Sequence, residues 1–142
     1  MNILFVAGVA VITSDGRKTR DLLSKSFGLP LAGQTATDEY VFSERIEGSK
    51  HFGVWPLAQV ALACFGTSTW PRERPTPQAT IEFEVSDEEA VGAAEQELRA
   101  QGHELLHGAR KEPWGQTVCR LLTSEGVILG ISYAPWLHTK KR

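Results

Sequence analysis

Cysteine is scarce in this chain of 142 residues: there are two, Cys64 and Cys119, each inside an apolar run. Buried free thiols in a reducing compartment suit that placement better than a disulfide framework, which draws on a denser set of cysteines. Long hydrophobic runs are also missing. No stretch reaches the ~18 apolar residues of a membrane span, so no membrane partner is expected. The apolar opening Met1–Ile12 has neither a basic lead nor a small-residue cleavage site, and it runs straight into Asp15, Arg17 and Lys18. It reads as a first strand, and the expected location is cytoplasmic. Nor does charge of one sign dominate: 15 Lys and Arg face 17 Asp and Glu, for a formal net charge of −2 and a pI near 6.1. Nucleic acid is excluded as a partner on that balance, since binding it takes a clustered basic surface. The short basic tail Lys140-Lys141-Arg142 reads as a frayed, solvated end. A Gly-x-Ser-x-Gly elbow, a Walker loop and a dinucleotide fingerprint after a strand are all absent, which removes serine-hydrolase and phosphate-cradling chemistries.

What is present is ordinary globular material, 42% apolar and 23% charged, enough for one domain over residues 1–142 with its own core. The informative feature is an internal repeat. Gly8-Val9-Ala10-Val11-Ile12-Thr13-Ser14-Asp15 is answered 72 positions later by Thr80-Ile81-Glu82-Phe83-Glu84-Val85-Ser86-Asp87. Both alternate like strands, and both end in Ser-Asp, where the aspartate can cap a following helix. Helical patterns do follow, over Arg17–Phe27 and Glu88–Gln101, and stop at Gly28 and Gly102. After each come three strand-like runs: Pro30–Thr35, Glu39–Ile46 and Lys50–Trp55, then Glu104–Ala109, Thr117–Thr123 and Val127–Tyr133. The order is therefore βαβββ twice, with repeat one at about 4–55 and repeat two at about 79–134. Between them lie a short helix in Pro56–Gly66 and a linker, Thr67–Gln78, that holds Pro71, Pro75 and Pro77. The expected fold is α+β: two βαβββ repeats forming a curved eight-stranded mixed sheet, helices outside and a concave groove inside. Such grooves are where small ligands bind.

With the two strand-Ser-Asp-helix openings, Phe27-Gly28-Leu29-Pro30-Leu31, Trp114-Gly115-Gln116-Thr117 and Ser124-Glu125-Gly126 in that order, the chain resembles the glyoxalase / bleomycin-resistance / extradiol-dioxygenase (vicinal oxygen chelate) superfamily over about residues 4–134. It looks most like the metal-free bleomycin-resistance type. Metal-dependent members of the family carry His or Glu ligands on the first and last strands of each half. By resemblance those positions fall at Gly8, Thr80 and Gly130, and in the first half at Phe52, or at His51 if the register slips by one. Glycine and phenylalanine offer no donor and an ion needs several, so neither a metal nor another cofactor is expected. The resemblance also implies a homodimer.

One motif is set aside. His103-Glu104-Leu105-Leu106-His107 matches HExxH, but it sits between Gly102 and Gly108 where the repeat places a strand. Residues four apart on a strand stand ~13 Å from each other and cannot grip one ion.

The candidate ligand-binding residues are His51, Trp55, Glu82, Trp114 and Gln116. Trp114 either stacks on a flat ligand, with Gln116 hydrogen-bonding it, or packs across its turn. Trp55 faces either the groove or the connecting helix, because a one-residue shift of register reverses its side. Glu82 and Glu84 share the parity of Thr80 and point toward the groove, where they bind a cation, reach solvent or pair with Arg120. Trp70 and Trp136, beside prolines, read as packing anchors or subunit contacts. The favoured reading is a metal-free protein that binds a small, flat or cationic organic molecule, with antibiotic or toxin sequestration as the example the resemblance offers. The alternatives are a metal-dependent lyase or isomerase of glyoxalase type using His51 and Glu82, and an interaction module whose groove is filled by its own side chains.

Overall fold

The computed structural model describes residues 1–138; the basic tail lies outside them. Strand β1 (Phe5–Thr13) runs into Asp15, whose carboxylate accepts from the Lys18 N–H at 3.1 Å and starts helix α1 (Gly16–Asp21). A wider, π-helical stretch, Leu22–Ser26, follows before Gly28 turns the chain at φ +74°. Strands β2 (Val41–Ser43) and β3 (Phe52–Pro56) finish the first half, and β3 passes directly into helix α2 (Leu57–Phe65). In the second half, strand β4 (Ala79–Glu84) leads to Asp87, which caps helix α3 (Glu88–Ala100) through the Ala90 N–H at 2.8 Å. Strands β5 (His107–Lys111), β6 (Thr117–Leu122) and β7 (Val127–Tyr133) come next, then a short 3-10 turn, Pro135–His138.

The sheet order is β2-β3-β1-β4-β7-β6-β5. Each half pairs its first strand in parallel with its last, β1 with β3 and β4 with β7, and the two first strands meet antiparallel at the centre. The repeats therefore pair within one chain. At the junction Gly8 faces Glu82 and Ala10 faces Thr80, the reciprocal register expected of a local two-fold relation between units 72 residues apart.

Two expectations need correction. The sheet has seven strands, not eight: of Pro30–Thr35 only Ala32 pairs, in a single bridge to Phe42. Asp38 accepts from both the Thr35 N–H, at 3.1 Å, and its hydroxyl, at 2.8 Å, folding this segment into a turn that leaves the ladder. Nor are all helices outside. Ala10, Ile12, Trp55 and Ile128 share the concave face, and they form one core cluster with Val60, Ala61 and Cys64 of α2 and with Trp70 of the linker. So α2 closes one end of the concave side. Helix α3 covers the opposite face, over Cys119 and Val85, with Val91 and Leu105. The linker is packed as expected: the Trp70 indole donates to the Pro75 carbonyl at 3.0 Å and meets Phe65 edge-on at 5.0 Å. Leu22 and Phe27, apolar members of the first helical pattern, stay exposed at 51% and 66%. Among the described residues no helix is long and apolar enough to cross a membrane.

Candidate functional site

The part of the concave face that α2 leaves open is a groove of about 550 Å³. All five residues singled out from the sequence, His51, Trp55, Glu82, Trp114 and Gln116, border it. Strand register explains why. Across β1, β4 and β7, Gly8, Glu82 and Gly130 lie side by side, and the backbone of His51 flanks Gly8 on the other side. A β-carbon at Gly8 would stand 3.0 Å from the His51 carbonyl, and one at Gly130 3.1 Å from Glu82 Cγ. The glycines thus make a floor across which the longer side chains lie.

One wall is organised by Gln116, a buried residue. Its amide nitrogen donates to Glu82 Oε1 at 2.8 Å and to Ser132 Oγ at 2.9 Å, and its oxygen accepts from the Trp114 indole at 2.8 Å. Trp114 is thereby held at the rim with 49% of its surface exposed. Below this wall lies Arg120, 1% exposed. It is paired with Glu112 at 2.7 Å, stands 3.0 Å from His107 Nε2 and 3.8 Å from Glu82 Oε2, and lies over the Trp55 ring at 5.3 Å. Burial, with the Arg120 charge acting in the same direction, pulls His107 down to about 4, so the imidazole beside the guanidinium is neutral at physiological pH.

The opposite wall holds Tyr40, Phe42 and His51. The Tyr40 hydroxyl is 2.6 Å from His51 Nε2, His51 Nδ1 is 3.4 Å from Glu44 Oε2, and the Phe42 and His51 rings stack at 4.8 Å. Burial, then the Glu82 and Glu44 charges, raises the Tyr40 pKa, so the phenol stays protonated. Asp38 also borders the groove, and hydrogen bonds from Thr35 hold its carboxyl below the usual range.

The sequence reading missed Tyr40 and Glu44, although the alternation Tyr40-Phe42-Glu44 was visible as a possible strand face. It named Arg120 only as a partner of Glu82 and Glu84, and it placed Arg110, Lys111 and Glu112 near the groove rim without pairing Glu112 with Arg120. Trp55 is settled by the register Ile12↔Trp55: it faces the concave side, buried against α2, with an edge in the groove. Trp136 is not only an anchor, since it borders the groove mouth, 43% exposed. Glu84 shares the face of Glu82 but lies beyond the groove. It is fully buried and accepts from Ser132, from the Ala134 N–H and from His138 at 2.7 Å. His103 lies in a loop and His107 opens β5, so the HExxH pattern is not helical. A larger depression of about 970 Å³ is bordered mainly by loop and helix-end residues, and none of the five predicted residues reaches it.

The residues present do not fit the metal that the fold suggests. The register equates Gly53 with Gly130, because Ala10 faces Gly53 as Glu82 faces Gly130; this replaces the assignment to Phe52 or His51. A β-carbon at Gly53 would fall 2.5 Å from the Tyr40 hydroxyl, so that position is already filled. The four corresponding places are Gly8, Gly53, Thr80 and Gly130. Among the described residues no group of three or more His, Cys, Asp and Glu is placed to hold an ion.

Two repeat units, βαββ and βαβββ, paired through their first strands around one groove define the paired-module class of α+β proteins. The profile of the Glyoxalase/Bleomycin resistance protein/Dioxygenase superfamily matches residues 6–130, and the chain belongs to that superfamily. Among solved structures it is similar to a glyoxalase/bleomycin resistance protein/dioxygenase superfamily member from Vibrio splendidus 12B01, at TM-score 0.55 and 12% identity over 94% of this chain and 100% of that one. It is likewise similar to a methylmalonyl-CoA epimerase variant from Streptomyces coelicolor in complex with 2-nitronate-propionyl-CoA, at TM-score 0.60 and 13% identity over 98% and 100%. A third similar structure, that of an NAD-dependent benzaldehyde dehydrogenase from Legionella pneumophila, gives TM-score 0.57 and 10% identity over 89% and 96%. At these identities what is shared is the fold. No curated protein matches the chain.

Proposed function

We propose that this chain is a metal-independent binding protein of the bleomycin-resistance type that sequesters a planar, positively charged organic molecule such as an antibiotic or toxin. The observation that carries this reading is the charge of the groove. Asp38, Glu44 and Glu82 border it, while its one bordering cation among the described residues, Arg120, is already paired with Glu112 at 2.7 Å. A cation in the groove meets three carboxylates against a single guanidinium, which stands 3.8 Å from Glu82 and is shared with Glu112, so the local field favours positive charge, most where solvent is partly excluded. The indoles of Trp55, Trp114 and Trp136 supply flat surface for stacking, and a cation over such a face gains about 0.5–2 kcal/mol.

Titration of tryptophan fluorescence with proflavine, a planar cation, and with anthracene-2-carboxylate, a planar anion of similar size, tests the reading. Saturable 1:1 binding of proflavine, weakened about tenfold in Glu82→Gln, supports it. Equal binding of the two dyes, or none, overturns it, and a stoichiometric metal in protein purified without chelator overturns its metal-independent part.

A further inference from the structure

We propose that the groove recognises its ligand as a hydrogen-bond donor, taking cations that carry N–H bonds (protonated amines, amidines or guanidines) and discriminating against quaternary ammonium ions of the same shape. This rests on the cation-binding reading and specifies which cations it covers.

The inference comes from the direction of each hydrogen bond in the walls. A carboxylate accepts only, so in the neutral imidazole Glu44, 3.4 Å from His51 Nδ1, favours the proton on that nitrogen and leaves Nε2 as an acceptor. The Tyr40 hydroxyl, 2.6 Å from Nε2, must then donate to it. Its proton is committed, and what the phenol offers the groove is an oxygen lone pair. Burial keeps the phenol neutral, so this polarity is not lost by ionisation. On the other wall the donors are committed as well. The Trp114 N–H goes to Gln116, and the two amide hydrogens of Gln116 go to Glu82 and Ser132. Glu82 keeps Oε2, whose nearest cationic atom, on Arg120, is 3.8 Å away. Arg120 Nε and Nη2 and the Thr80 hydroxyl have no hydrogen-bond partner, but they are buried away from the groove surface. Tyr40 Oη and Glu82 Oε2 therefore border the groove as acceptors, and the amides of Gln34 and Gln59, which also line it, carry a carbonyl acceptor beside each N–H.

If aromatic faces alone held the cation, methylation of its nitrogen would cost nothing, because a quaternary ammonium is a good cation–π partner. Oriented acceptors demand hydrogen on nitrogen instead, and a lost charge-assisted hydrogen bond weakens binding about tenfold or more.

The experiment compares 2-naphthylmethylammonium with its N,N,N-trimethyl counterpart by calorimetry or tryptophan quenching. The primary ammonium is expected to bind at least tenfold more tightly. Tyr40→Phe should narrow that ratio by removing one acceptor, while Glu82→Gln, which keeps a carbonyl acceptor, should weaken both probes by similar factors. Equal affinities, or a preference for the trimethyl probe, overturn the inference and leave the cation-binding reading standing. Failure of both probes to bind overturns both. The wild-type ratio decides the matter even if Tyr40→Phe does not fold.

Discussion

Arg120 and Glu112 form an ion pair at 2.7 Å in which the guanidinium is 1% and the carboxylate residue 6% exposed. The other two guanidinium nitrogens, Nε and Nη2, have no hydrogen-bond partner. Removing one member of such a pair leaves the other charge buried and uncompensated. Glu112→Ala is therefore expected to destabilise the protein by about 3–5 kcal/mol in urea unfolding, at the lower end because Glu82 remains 3.8 Å from Arg120. Arg120→Met, which roughly keeps the volume and leaves Glu112 within 3.6 Å of Arg110, should cost less than Glu112→Ala; the reverse order would show that the pair is not what holds this wall.

Two tryptophans of the groove separate by burial. Trp55 is 7% exposed and packs into the cluster under α2, whereas Trp114 is 49% exposed at the rim. Trp55→Ala should cost about 3–5 kcal/mol of stability. Trp114→Ala should change stability by less than about 1 kcal/mol while weakening proflavine binding several-fold. Comparable melting losses in the two variants would contradict this division.

Glycine has opposite meanings at two positions. At Gly53 a β-carbon would lie 2.5 Å from the Tyr40 hydroxyl, so Gly53→Ala must push the phenol off His51 and should cost about 1–3 kcal/mol, with a changed near-UV dichroism. At Gly92, inside α3, nothing lies within 4 Å, and Gly92→Ala should stabilise by about 0.5–1 kcal/mol. Thermal melts of the two variants should move in opposite directions.

Stability should fall on acidification through His107. Burial lowers its folded pKa from 6.5 to about 4, so between those values the unfolded chain binds more protons than the folded one. Its contribution is complete above pH ~6.5 and is lost as pH falls toward 4, by at most about 3 kcal/mol and less after allowance for its partial exposure. His107→Gln should flatten the urea-midpoint profile between pH 6.5 and 4. An unchanged slope would place the titration elsewhere.

Much of this architecture was legible from local pattern. The strands around Gly8–Thr13 and Thr80–Val85 announced themselves by alternation, and Asp15 and Asp87 do cap the helices that follow. Val127–Tyr133 was bounded to the residue, because Gly126 at φ +94° forces the turn before it. The Pro30–Thr35 strand failed because the hydrogen bonds that divert it come from Asp38, outside its own pattern. Parity likewise put Glu82 on the groove side, but parity carries no distance.

The sequence by itself determined the repeat, the order of elements, the faces of the central strands and the lack of metal donors at Gly8 and Gly130, because these depend on residue type and on spacings of two to four along the chain. The tertiary structure alone decided that the two halves pair within one chain, that α2 closes the groove, and that Tyr40 fills the space above Gly53. It also decided that Arg120 is answered by Glu112 rather than by the groove carboxylates alone. Those outcomes rest on side chains brought together by strand register and on which charge lies within ~4 Å of which, and neither follows from distance along the chain.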